Sequence, residues 1–255
     1  MMILNLSKYD RKYIRKKNIP FQVRLNTCDE DVLNKVVLND CYKLEQINLR
    51  DNPNIVDVGG HIGAFTKYCA WRWPCARIHT FEANSNNWEL LEENLKDITK
   101  KVTLYKGACV GHIPKNKKLV IRKDAAKEIT GGWGILFHHG EVQEDESTAV
   151  INIDRFYSLS TLIKDMDTVD LLKLDCEGSE FSILKHLSDK ELYKVDYLVC
   201  EVHCGALPHH DWTYKEFRDK VLDQFICPEL ESRPTCTYQD LFNIVACNRK
   251  LISKS

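Results

Sequence analysis

The sequence predicts an α/β domain built on a mostly parallel sheet with helices on both faces, and three observations predict it. Strand-like and helix-like stretches alternate from about residue 54 onward, as expected of parallel strands joined by crossover helices. The apolar pair Ile55-Val56 runs straight into Asp57-Val-Gly-Gly-His-Ile-Gly63 and then Ala64-Phe65-Thr66, which reads as a buried strand, a glycine turn and a helix start. Later apolar runs break off in acidic or histidine side chains, at Glu82, at Asp175 and at Glu201-Val-His203.

Asn54–Val58 is the first expected strand, Ile62–Trp71 a helix and Arg77–Phe81 the second strand. Asn84–Lys96 follows as a helix, with Asn84 or Ser85 as its cap and Trp88, Leu91 and Leu95 at helical spacing. Val102–Tyr105, Asp170–Leu174 and Tyr197–Val202 are strands three to five, each apolar run too short for a helix. Tyr214–Leu222 suggests another helix and Phe242–Cys247 a last strand. Between the third and fourth strands, Lys118–Arg122 and Ala149–Ile153 alternate like strands around the polar, glycine-rich Gly131-Gly-Trp-Gly134. Residues 107–150 are therefore expected to form an inserted hairpin or lid.

Residues 1–50 read as a helical extension packing on the domain that occupies residues 51–255. Asp31–Tyr42 has helical periodicity through Val32, Val36 and Val37 and is placed over the cleft at the sheet edge. Lys8–Lys17 carries six basic residues and reads as a solvated helix face rather than an RNA-binding arm.

At 255 residues the chain suits one substantial core. Thirty-six basic against thirty-seven acidic residues give a formal charge of −1, so overall electrostatics make no case for a nucleic-acid or membrane partner. No apolar stretch approaches a membrane span and none reads as a signal segment, which points to a cytoplasmic protein. Eleven cysteines include no C-x-x-C pair, and most sit in apolar patterns; they read as reduced, mostly buried thiols. Cys200-Glu-Val-His203-Cys204 superficially resembles a zinc site, but strand alternation turns His203 away from both cysteines.

The glycine turn is out of register for a dinucleotide, because G-x-G-x-x-G ending at Gly60 and Gly63 would need glycine at Val58. Asp57 closes the strand instead. An acidic strand end repels a pyrophosphate but suits hydroxyls, an ammonium and a sulfonium, the groups of S-adenosylmethionine. Glu82, about twenty residues beyond the turn, stands where an acidic side chain accepts hydrogen bonds from ribose hydroxyls. Asp175 and Glu177 should project from the carboxyl edge of the fourth strand, whereas Glu180 reads as decoration of the next helix's first turn. Glu201 and His203 share a strand face and point into the same cleft. An imidazole suits removal of a hydroxyl proton. A base or positioning role is the preferred reading; a divalent cation held by Asp175, Glu201 and His203 is the alternative.

With these strand ends in place, the chain resembles the FkbM family of S-adenosylmethionine-dependent methyltransferases. The resemblance rests on Ile55-Val-Asp-Val-Gly-Gly-His-Ile-Gly-Ala-Phe-Thr66, Phe81-Glu-Ala-Asn84, Leu172-Lys-Leu-Asp-Cys-Glu-Gly-Ser-Glu180 and Leu198-Val-Cys-Glu-Val-His203, and covers roughly residues 30 to 205. It implies a Rossmann-like class I methyltransferase fold, seven-stranded in the order 3-2-1-4-5-7-6 with an antiparallel last strand. It also implies O-methylation of a sugar, polysaccharide or natural-product hydroxyl. Asp57, Gly59, Gly60 and Gly63 would sit against the methionine part of the cofactor, Glu82 and Ala83 at the ribose, and Asp175 near the transferring methyl. Gly60-His61 stands where the family usually carries Ala-Asn. RNA ribose 2'-O-methylation, supported only by Lys8–Lys17 and Lys115–Lys118, and a non-catalytic cofactor-binding scaffold are the competing functions.

Overall fold

The chain enters through a hairpin, β1 (Arg11–Lys16) and β2 (Ile19–Arg24), then a short helix α1 (Asp29–Leu33) continued by a π-helical turn, Asn34–Leu38. Alternation follows as β3 (Asn54–Val58), α2 (Ala64–Arg72), β4 (Arg77–Glu82), α3 (Ser85–Leu95) and β5 (Val102–Lys106). Four short strands come next: β6 (Ala108–Val110), β7 (Lys118–Arg122), β8 (Thr148–Asn152) and β9 (Phe156–Ser158). They lead into α4 (Leu159–Lys164), β10 (Val169–Leu174), α5 (Ser179–His186), α6 (Asp189–Tyr193) and β11 (Val195–His203). The chain closes with α7 (Tyr214–Gln224), β12 (Phe225–Ile226), α8 (Pro228–Glu231), β13 (Leu241–Asn248) and α9 (Arg249–Ile252). This computed structural model describes residues 11–111, 118–122, 148–153, 155–205, 212–237 and 239–252. The expected glycine-rich part of the lid around 131–134 lies outside them, as do Lys8 and 115–117.

Seven strands share one sheet in the spatial order β5-β4-β3-β10-β11-β13-β12. Neighbours from β5 to β11 pair in parallel; β13 runs antiparallel to both β11 and β12. Counted along the chain within this sheet, the order is 3-2-1-4-5-7-6. β12 is only two residues long, too short to leave a periodic signal in the sequence.

Strand alternation sends side chains into two cores. Val56, Val58, Leu172, Leu174, Leu198 and Cys200 pack on one face with Phe181, Phe217 and Phe225. Ile55, Leu171, Val199 and Ile78 pack on the other with Phe65 and Tyr68. All six residues of β10 are buried, Asp170 and Lys173 among them. Such charges must be paired: Asp170 meets Arg50 at 2.7 Å, and Lys173 meets Asp57 at 3.0 Å.

The N-terminal extension differs from the expected helix over Lys8–Lys17. β1 and β2 pair in antiparallel register, Lys16 opposite Ile19, around Lys17 and Asn18, whose φ values of 45° and 64° are left-handed. Two such residues make the tight hairpin turn that matches strand twist. The signal was the alternation of Ile19, Phe21 and Val23, all buried, with period 2 rather than 3.6. Those side chains join the same core as Phe65 and Tyr68, so the extension covers one face of the sheet. Among the described residues between β5 and α4, β7 pairs antiparallel with β8 and β6 pairs in parallel with β9.

Candidate active site

The glycine turn folds over the carboxyl ends of β3, β4 and β10. Gly59 N and Gly60 N both donate to Phe81 O, at 3.0 and 2.8 Å, and Asp175 N donates to Val58 O at 3.1 Å. Gly59 has φ +90°, and a Cβ there would lie 1.8 Å from the Asp175 carbonyl oxygen, so no other residue fits. Gly60 serves packing, since a Cβ would lie 2.5 Å from Thr80 Cγ2, while Gly63 combines a left-handed φ of +89° with a Cβ position 3.0 Å from Leu91 Cδ1.

Asp57 does not face the cleft where it was expected. Its carboxylate turns beneath the turn, 3.0 Å from Lys173 Nζ, and accepts from Thr66 Oγ1 at 2.6 Å. Parallel register sets Lys173 directly beside Asp57. Lys173 Nζ also donates to Gly59 O at 2.6 Å and lies 3.8 Å from Asp175. Burial works against its charge, but Asp57 and Asp175 raise its pKa and keep it protonated. Lys173 was not anticipated; a lone cation inside the apolar run Leu171-Leu-Lys-Leu174 was the available signal.

A cleft of about 390 Å³ opens along this edge, within the roughly 300–1,000 Å³ of cofactor pockets. Gly59, His61, Glu82, Ala83, Asn84 and Asn87 line one end. Glu82 is held by backbone: His61 N donates to Oε2 at 2.7 Å and Asn84 N to Oε1 at 2.8 Å, joined by Asn87 Nδ2 at 3.1 Å. Of about four carboxylate lone-pair positions, this leaves one on Oε2 for a ligand hydroxyl. Burial, opposed by these bonds, raises the Glu82 pKa. His61, in left-handed conformation at φ 48°, is pushed by burial to a pKa of about 4 and is neutral, 3.4 Å from Asp29.

Asp175, Glu177, Glu201 and His203 line the other end, so the structure brings the predicted residues of β10 and β11 together. Tyr42 Oη donates to Asp175 Oδ2 at 2.6 Å. Burial works to raise Asp175, yet Lys173, His203, Tyr42 and Lys35 hold it below the usual carboxylate value. Glu201 goes the other way: burial and then Asp175 push it up, against Lys35 and His203. His203 sits among acids, Nδ1 2.5 Å from Glu180 Oε1, and Nε2 3.2 Å from Glu177 and 3.7 Å from Glu201. Burial opposes its charge, but Glu180 and Glu177 raise its pKa well above that of an ordinary imidazole. That direction weighs toward the positioning role of His203 and away from the role of base. Glu180 is likewise more than helix decoration: it occupies the first turn of α5 but is wholly buried against His203.

Asp175, Glu177, Glu201 and His203 each offer a donor atom, all within 4.8 Å of one another. That spacing would let them hold a cation only if His203 lost its proton. Lys35 and Tyr42 were missed as site residues, since nothing in the local pattern of residues 31–42 marks a side chain that reaches across the cleft.

A family model described as the methyltransferase FkbM domain matches residues 57–232. The chain belongs to this family. It carries an FkbM methyltransferase domain, whose match begins at Asp57 within β3. Three curated relatives are similar to the chain. The AMB antimetabolite synthetase AmbE of Pseudomonas aeruginosa is 26% identical over 68% of this chain, which spans only 9% of that protein. Methyltransferase 1 of Beauveria bassiana is 22% identical, covering 68% of this chain and 73% of its own length. Methyltransferase sdnD of Sordaria araneosa is 24% identical, covering 67% and 73%. A solved FkbM methyltransferase from Methylobacillus flagellatus KT is 14% identical with a TM-score of 0.47, over 81% of this chain and 46% of that one. Among the described residues of this FkbM domain and its extension, no helix is long and apolar enough to cross a membrane.

Proposed function

We propose that the domain binds S-adenosylmethionine and methylates a hydroxyl on a sugar, polysaccharide or natural product. The observation that carries this reading is the placement of two carboxylates, Asp175 and Glu201, at one end of the cleft, with Glu201 raised by burial and by Asp175 while Lys173 and His203 lower Asp175 against its burial. Environments that push two titratable groups apart separate the role of base from that of fixed charge. Three features fit the cofactor: the close approach of backbone at Gly59, the unused Oε2 position of Glu82, and the neutral His61 between them. When bound, S-adenosylmethionine supplies an activated methyl group on a sulfonium.

The residues then divide the work. Glu82 and the backbone around Gly59 orient the cofactor. Asp175, kept ionised by Lys173 and Tyr42, places a fixed negative charge at the reacting end. Glu201, with its pKa raised by burial and by Asp175, accepts the acceptor's hydroxyl proton on an oxygen facing the cleft. His203, as an imidazolium, holds Glu177, Glu180 and Glu201 in place. Alignment of acceptor and methyl contributes up to about 7–11 kcal/mol of barrier lowering.

In the basic segment Arg11–Lys17, Arg11, Lys12 and Lys17 pair with Glu89, Glu30 and Glu45, which weighs against an RNA acceptor. The deciding experiment supplies methyl-labelled S-adenosylmethionine to extract of the source organism, fractionated into small molecules, polysaccharide and RNA. Label in either of the first two supports the reading. Label confined to RNA, or no transfer despite cofactor binding, rejects it.

A further inference from the structure

Both carboxylates at the reacting end are held by side chains from outside the matched domain, which starts at residue 57. Tyr42 bonds Asp175 at 2.6 Å, and Lys35 Nζ forms an ion pair with Glu201. The stretch that carries them is shaped to present them. Asn34–Leu38 is a π-helical turn, a form that concentrates at functional sites, and Cys41 N closes back on Lys35 O at 3.2 Å. Asp40 and Lys43 take left-handed φ values of 47° and 51°, reversing the chain on either side of Tyr42. The Asp40 carboxylate holds that reversal by accepting from Leu44 N and Glu45 N, each at 2.8 Å.

Packing alone does not call for the Tyr42 hydroxyl. The ring is wholly buried and meets Phe65 edge-on at 5.6 Å, a contact that phenylalanine would keep. A buried hydroxyl needs an acceptor, and this one ends on the carboxylate that lines the cleft. Without it, the nearest charged partner of Asp175 is Lys173, 3.8 Å away on the side of the buried Asp57. The carboxylate would swing toward that ammonium and away from the cleft.

We infer that Tyr42 is a positioning residue, whose hydroxyl keeps the Asp175 carboxylate turned toward the reacting end while Lys35 sets Glu201 in the same way. The inference rests on the S-adenosylmethionine reading above. Its test compares a cationic and a neutral form of the same ligand, S-adenosylmethionine and S-adenosylhomocysteine, by calorimetry on the full chain.

In Tyr42→Phe, affinity for S-adenosylmethionine is expected to fall about ten-fold relative to S-adenosylhomocysteine, the scale of one hydrogen bond to a charged group. Asp175→Asn should show a similar change, and the double variant little more than either single one, since both remove one interaction. Lys35→Met, at a half-exposed position, should slow labelled methyl transfer without changing S-adenosylhomocysteine affinity, and Lys35→Arg should restore most of the rate. If the wild-type chain binds neither ligand, the cofactor reading fails and the inference with it. If it binds both and Tyr42→Phe leaves their ratio unchanged, or weakens both equally, Tyr42 is a packing residue and the inference alone is overturned.

Discussion

The two ends of the cleft are built differently. At the Glu82 end, the carboxylate is fixed by backbone amides of His61 and Asn84 and by Asn87, partners on the glycine turn or within a few residues of Glu82. At the Asp175 end, each group depends on side chains from far along the chain: Tyr42 lies 133 residues from Asp175, and Lys35 lies 166 from Glu201. Backbone-held groups tolerate sequence change around them. Side-chain-held groups tie their charge states to several distant residues at once, which suits the end proposed to carry the chemistry.

The sharpest break in that comparison is Glu201→Gln. It removes the proposed base and should lower methyl transfer about a hundred- to ten-thousand-fold, with cofactor affinity by calorimetry near wild type; an unchanged rate would remove Glu201 from the mechanism. Lys173→Met comes next, because Lys173 serves both ends. It leaves Asp57 buried and uncompensated, so stability in denaturant titration should fall by about 3–5 kcal/mol. A loss below about 1 kcal/mol would show that Asp57 accommodates as a neutral acid.

Glu82→Ala tests the backbone-held end. Cofactor affinity should weaken about ten- to a hundred-fold, while transfer at saturating cofactor stays within a few-fold; the opposite pattern would exchange the roles of the two ends. A smaller effect concerns pH. The His203 pKa is raised in the folded state, so its stabilisation is complete below the unfolded value near 6.5 and is lost as pH rises through the folded value. His203→Gln should therefore narrow the gap to wild type as melting is followed from pH 6 toward alkaline pH; a constant gap would refute the charged imidazole. Smallest of all, a chelator is expected to leave transfer unchanged. Loss of rate restored by a divalent cation would mean that Asp175, Glu177, Glu201 and His203 hold a metal.

The strand ends and the glycine turn were legible because they are local. A short apolar run, a glycine where backbone must approach backbone, and an acid at a parallel strand's carboxyl end all leave marks within a few residues. The hairpin at Arg11–Arg24, where a helix is expected over Lys8–Lys17, differs for the converse reason. Its basic residues Lys12 and Arg15 are exposed, while the period-2 burial of Ile19, Phe21 and Val23 carries the structural information.

By itself, the sequence determined the α/β class and pointed to the edge of the sheet where Glu82, Asp175, Glu201 and His203 line one cleft. Only the tertiary structure decided what those residues can do. Asp57 turns inward because register sets Lys173 beside it. The His203 pKa is raised because Glu180 of α5 and Glu177 of the turn before it lie against the ring, and Asp175 is anchored because residues 34–42 fold back over the cleft. The physical reason is the same in each case. Position along a strand follows from short-range geometry, whereas protonation and orientation follow from the charges and hydroxyls that folding brings within a few ångströms.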